Sequence, residues 1–446
     1  MSTRKVYASS MFRSLRHRAA RTFFVGLLIS NVGSWMQLTA MSLLVYRLTG
    51  KATDVGITLF CQFLPMLVLG VWAGAITDRV NKQRMALLTQ GGLAVQALVL
   101  GGLELGGLTS LPVFYVLSLV LGVINAFDNP ARRGFVIELV EPDDISNVVS
   151  LNTAVMTGSR IFGPALAALL IGPLGAGWLF MINGASFTAI LWSIASISPT
   201  KLYRALPASR GGTPVRDALR FVAGDRRLLV IYIVFTLVGT FAFNYNVSLL
   251  KLADVRYDDR RLFGWFLAVI SVGSLLGSLL TAARSRVTIT WFFAAAVVLA
   301  ISGFSFAFAP SVWLAYLMAV PLGAGGAAFI ASLNAITQQE SPADMRGRLL
   351  ALGAVAFLGT TPIGAPITGW IADRVSAEWS LAYGSAVALV AAPLGVLALR
   401  GTVPPGRLQG RLRGRLQGRL RASRSDRAEV PAHEHEPTAM HVDHAD

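Results

Sequence analysis

Apolar residues in this chain come in long blocks, and polar residues in short clusters between them. Twelve blocks can be marked, at about 21–46, 54–77, 85–105, 109–128, 148–171, 176–198, 228–250, 262–283, 288–308, 311–336, 349–372 and 379–399. Each is about as long as the 20 residues that a helix needs to cross the hydrocarbon core of a bilayer. Glycine and proline interrupt several of them without shortening the apolar run. The pattern predicts an all-α membrane protein of twelve transmembrane helices.

Composition agrees, with 54% hydrophobic and only 14% charged residues and a mean hydropathy of +0.60. The distribution of Lys and Arg tests the helix count separately. With both termini inside, the inner segments hold 31 of these cations and the outer loops 7, with Arg160 left over inside a span. Such a bias is what the positive-inside rule requires of an even-numbered topology. The net charge of +16 is therefore an orientation signal and gives no reason to invoke nucleic acid. The basic stretch 1–20 runs into the first span without a small-residue cleavage site, so no removable signal peptide is expected. Cys61 is the single cysteine and falls in an apolar span, which assigns it to packing. Lysine is scarce and arginine abundant, which hints at a GC-rich bacterial genome. The expected location is the bacterial plasma (inner) membrane, with both termini cytoplasmic.

The chain also repeats itself. Pro142-Asp143-Asp144 precedes the fifth span and Pro342-Ala343-Asp344 the eleventh, and Leu151, Gly158 and Gly163 recur with the same spacing as Leu352, Gly359 and Gly364. Two related six-helix halves, 21–198 and 228–400, are thus expected around a central cavity. The polar segment 199–227 between them reads as a cytoplasmic linker, with a short surface helix possible from Asp217 to Arg227. Residues 401–446 leave the membrane. Within them 406–421 are four copies of Gly-Arg-Leu-(Gln/Arg), read as a disordered tail because a glycine in every turn opposes the lipid-facing helix the leucines would line. Histidines 433, 435, 441 and 444 lack a ligand spacing, so no metal site is expected.

The second loop is the most specific motif. Gly70 and Gly74 lie on one helix face, where small residues let another helix approach, and Asp78-Arg79-Val-Asn-Lys82-Gln-Arg84 follows. An acid at a helix end among cations, near another helix N-terminus, makes a charged latch at the membrane surface. The spacing Gly-x-x-x-Asp-Arg-x-x-Lys resembles the loop between the second and third helices of the major facilitator superfamily. Asn81 replaces a usual glycine and Gln83 a usual second cation, which implies a weaker latch. Asp128-Asn-Pro130-Ala-Arg132-Arg133, Asn31-x-x-Ser34-Trp35-x-Gln37 and Ser150-Leu-Asn152 resemble a subgroup that includes siderophore and macrolide exporters. Asp128 is expected at the cytoplasmic surface, where it either completes the latch or caps the next segment.

Arg160 is the residue most expected to carry chemistry. It sits mid-span, where an unpaired cation costs about 2.5 kcal/mol or more, and no acid is expected at the same depth. It serves either an anionic substrate or gating from the cavity, or pairs structurally with carbonyls. Gly158, Gly163 and Pro164 around it resemble the fifth-helix pattern of antiporters in the superfamily, where small residues allow tight packing and proline allows bending. Of the in-span amides, Asn31, Gln37, Gln62 and Asn152 are taken as candidates for substrate contact. Gln90, Gln96, Asn125, Asn183, Asn244, Asn246 and Asn334 either line the cavity or bond neighbouring helices.

No phosphate loop, zinc spacing or nucleophile elbow appears, so neither an enzyme nor a cofactor is expected. The reading is a monomeric secondary transporter exporting a small anionic or amphipathic organic molecule. Proton antiport is what the resemblance implies, although no mid-membrane Asp, Glu or His is expected to carry the proton. A nutrient importer and a non-transporting membrane sensor are the alternatives.

Overall fold

The computed structural model describes residues 13–77, 79–203 and 214–400, and among them every regular element is helical. Asp78, the first twelve residues, part of the linker and the Gly-Arg-Leu tail lie outside the described residues. Helices α1 (Arg18–Thr49), α2 (Ala52–Thr77), α3 (Lys82–Leu105) and α4 (Leu111–Ile137) follow one another. Next comes α5 (Ile145–Ser196), 52 residues long, which as a straight rod would reach about 78 Å, more than twice the bilayer core. It breaks at Gly175, whose φ of 79° and ψ of 165° suit glycine alone. Gly163 before the break packs on Trp35 and Met36, and Asn183 after it packs on Gly33 and bonds Gln37. Both legs therefore pass the same stretch of α1, and α5 supplies the fifth and sixth crossings.

The second half starts with the short α6 (Pro214–Gly224), followed by α7 (Arg226–Ala242), α8 (Tyr245–Tyr257), α9 (Leu262–Ala282), α10 (Ile289–Ala307), α11 (Val312–Glu340), α12 (Ala343–Leu358), α13 (Thr361–Arg374) and α14 (Ala377–Leu399). Among the described residues eleven helical stretches are long and apolar enough to span a bilayer, and the hairpin within α5 brings the crossings to twelve.

Two crossings expected to be continuous are broken. The seventh is α7 plus α8, interrupted at Phe243 and Asn244, where the Asn244 amide donates to the Thr240 carbonyl at 2.8 Å in competition with the backbone. The eleventh is α12 plus α13. Pro362 has no N–H for the Leu358 carbonyl, so one helix ends there and the next begins with proline in its first turn. The two breaks meet, since a Cβ on Gly364 would run into the Thr240 carbonyl and the Asn244 amide.

Contacts between the halves gather at one end of the molecule. We call the end bearing Gly50, Gly175, Asp258 and Ser376 distal, and the end bearing Arg18 and Leu399 proximal. Towards the distal end Gly56 abuts Ala365 and Pro366, Gly369 abuts Ala52 and Thr53, and Gly264 abuts Pro164 and Ala168. A single large apolar core joins the distal part of α1 to the second half, whereas the proximal part of the first half has a separate core around Phe23, Phe135 and Ile190. Near the proximal end no such close approach between the halves is made among the described glycines. Gly70, Gly74 and Gly158 each face open space, which corrects the expectation that they seat a neighbouring helix. Gly163, Gly359 and Gly364 do make close approaches, with Gly359 lying against Leu67.

Candidate functional site

A cavity of ≈ 270 Å³ opens within the first half, lined by α1 to α4 and both legs of α5. Its apolar wall includes Trp35, Phe63, Met66, Met156 and Phe187, and its polar groups include Asn31, Gln62, Gln90, Asp128, Arg132, Arg133 and Arg160. Three arginines against one aspartate leave the cavity a formal charge of +2.

Arg160 reaches this space from the first leg of α5. Its guanidinium lies 4.9 Å from the Trp35 ring centre, a cation–π contact, and its backbone carbonyl accepts a hydrogen bond of 2.9 Å from Ser271 of α9. Among the described residues no carboxylate pairs with it. Gly163, one turn on, presses against Trp35, so the platform under the guanidinium is fixed by the glycine that lets α5 approach α1.

Asp128 corrects the sequence expectation most sharply. It is 1% exposed and sits inside α4, nine residues before the end of that helix, not at the surface and not in a cap. The Asp-Asn-Pro turn signal is overridden because the helix continues through Pro130, and the Asn129 amide bonds the Asn125 carbonyl at 3.0 Å beside the break in the ladder. Three donors converge on its carboxylate: Thr89 Oγ1 at 2.8 Å, Gln90 Nε2 at 2.7 Å and Arg132 Nε at 3.1 Å. Arg132 also contacts Asn129 and the Met156 sulfur, and Arg133 beside it is exposed. A buried acid thus shares the cavity with Arg160, contrary to the expectation that no acid lies at that depth.

The amides divide into two groups. The Asn31 amide meets the Met156 sulfur at the cavity wall, while the buried Gln62 Oε1 and Gln90 Oε1 have no hydrogen-bond partner among the described residues. Gln37 is different. Its Nε2 donates to Gln96 Oε1 at 3.1 Å and its Oε1 accepts from Asn183 at 2.7 Å, so its amide ties α1 to α3 and to the second leg of α5. Gln37 also lines the cavity, with both ends of its amide already bonded. Asn152 does not line the cavity.

At the expected latch, Arg79 is exposed and Lys82 pairs with Glu138 at 3.0 Å. The two departures from the motif have structural uses. Asn81 caps α3 through the Arg84 N–H at 3.0 Å, and Gln83 donates to the Ile194 and Ile197 carbonyls at 2.9 and 2.7 Å, closing the end of α5. Sequence reasoning missed Thr89 and the sulfur and aromatic wall, because nothing local marks which in-span residues face a ligand.

The sequence profile of the transmembrane secretion effectors matches residues 9–408. The chain belongs to that family of major facilitator transporters. It is 27% identical over 366 residues to the multidrug efflux pump Tap of Mycolicibacterium fortuitum, covering 78% of this chain and 87% of the pump. It is 23% identical over 262 residues to the staphyloferrin A transporter of Staphylococcus aureus, covering 58% of this chain and 65% of that protein. Among solved structures, the nucleoside transporter NupG superposes with a TM-score of 0.70 at 12% identity, covering 86% of this chain and all of that one, a likeness of fold alone. This is a multi-span membrane protein of a bacterial transporter family.

Proposed function

We propose that this protein is a secondary exporter of a small amphipathic organic molecule bearing an anionic group, working by alternating access. The observation that carries the reading is Arg160, an unneutralised cation held on Trp35 in a cavity of net positive charge with a sulfur-rich and aromatic wall. Such a wall adapts to varied apolar bodies, while the guanidinium selects for an anionic end. The relatives named for multidrug and siderophore efflux support export. With the termini inside, as the charge bias expects, the proximal end faces the cytoplasm, and the lack of close approaches between the halves among its described glycines fits the loading state of an exporter.

Proton coupling centres on Asp128, the acid lining the cavity. The sign constrains the substrate. An anion alone would compete with Asp128 for Arg132 and would favour a bound proton, which is co-transport. Antiport requires the substrate to place a donor or cation against Asp128 while its anion meets Arg160, so that loading expels the proton. The preferred substrate is therefore amphoteric. Export in inverted membrane vesicles tests the reading: accumulation of such a compound driven by an imposed pH gradient supports it. Counterflow without any response to the gradient would favour a facilitator.

A further inference from the structure

At the distal end a second charged cluster joins the halves, away from the cavity. Asp373, at the C-terminal end of α13, accepts the Ala52 N–H at 3.0 Å, the Thr53 N–H at 2.8 Å and the Thr53 hydroxyl at 2.8 Å, and pairs with Lys251 at 3.2 Å. Ala52 is the first residue of α2, and the residue before it is Lys51, whose side chain has no oxygen to offer the first turn. The N-terminus of α2 thus takes its cap from the other half, about 320 residues away in sequence. Gly369, one turn before Asp373, removes the Cβ that would otherwise strike Ala52 and Thr53, so the carboxylate can reach them. Beside it the Tyr46 hydroxyl donates to Asp254 at 2.7 Å, and Asp254 is held by Arg260 at 2.6 Å.

We propose that Asp373 is the positioning residue of the distal gate, a carboxylate that caps α2 only while the two halves are closed at this end. The proposal rests on the alternating-access reading. Opening the gate strips two N–H groups and a hydroxyl from Asp373 and parts it from the helix end whose partial positive charge it balances. The elements, an acid, a cation and a helix N-terminus, are those expected from the sequence of the Asp78 latch at the opposite surface.

Spin-label pairs on a Cys61→Ser background test this. Leu48→Cys with Val255→Cys reports the distal gate, and Ile76→Cys with Leu280→Cys the proximal one; all four positions are exposed. Removing a cap of this kind is expected to raise the ratio of open to closed distal gates about tenfold in Asp373→Ala, with the proximal pair closing in step. Asp373→Asn should shift it less, because its amide oxygen still accepts the α2 N–H groups. An inserted Asp373→Ala protein with the wild-type distal distribution overturns the proposal. If that variant fails to insert, Thr53→Val and Lys251→Met must each shift the ratio severalfold, and no shift in either overturns it. Wild-type pairs that never change distance with substrate or pH defeat the alternating-access reading itself, whereas a switching wild type with an unresponsive Asp373→Ala defeats only the gate.

Discussion

Replacing Asp128 by asparagine removes one charge from the cavity at nearly constant shape. Three donors lie within 3.1 Å of that carboxylate, and an amide can satisfy Thr89 or Gln90 with its oxygen but turns an NH₂ towards Arg132. Losing one charge-assisted bond costs about 1.5–3 kcal/mol. Stranding a fully buried partner costs about 3–5 kcal/mol, reduced here because Arg132 is partly open to the cavity and can turn into it. The net charge then rises from +2 to +3. For an anion about 8 Å away at an effective dielectric of about 20, one extra unit charge contributes about 2 kcal/mol, or roughly thirtyfold in affinity. Purified Asp128→Asn protein should therefore bind a simple organic anion at least several times more tightly, as read from quenching of Trp35. It should release no proton on binding an amphoteric substrate, as read with a pH indicator in weak buffer. Unchanged anion affinity together with unchanged proton release would refute the reasoning.

Further outcomes follow from individual contacts. Gln37→Leu strands Gln96 and Asn183 and should lower stability by about 1–3 kcal/mol, seen in thermal unfolding, while substrate affinity stays within twofold. Gly163→Val should abolish folding or transport, because its Cβ would occupy the place of Trp35 and Met36, whereas Gly158→Ala, facing open space, should express and transport normally. Asp78→Asn should slow transport without reducing membrane insertion, checked by efflux rate against expression level.

Much of the fold was legible because a bilayer demands about 20 apolar residues per crossing and sorts Arg by side, so the helix count and Arg160 follow from local sequence. Asp128 was not legible. Asp-Asn-Pro marks a turn in isolation, and two of the three donors that make a buried carboxylate tolerable there, Thr89 and Gln90, lie on another helix. That both ends of the Gln37 amide are bonded was hidden for a related reason, since its partners lie 59 and 146 residues away and no periodicity tells a spent amide from a free one. Glycine spacing likewise named Gly74 and Gly163 alike, and tertiary packing used only the second. Asp373 offers no local signal, because the helix end it caps belongs to the other half of the chain.

Whether Arg160 selects an anionic group is decided by paired transport in inverted vesicles. An anionic compound and a neutral isostere are offered to wild type, Arg160→Ala and Arg160→Lys. Transport of the anion should fall at least tenfold in Arg160→Ala and be partly retained in Arg160→Lys, with little change for the neutral compound. Full transport of the anion by Arg160→Ala would contradict that selection, as would an equal loss for both compounds.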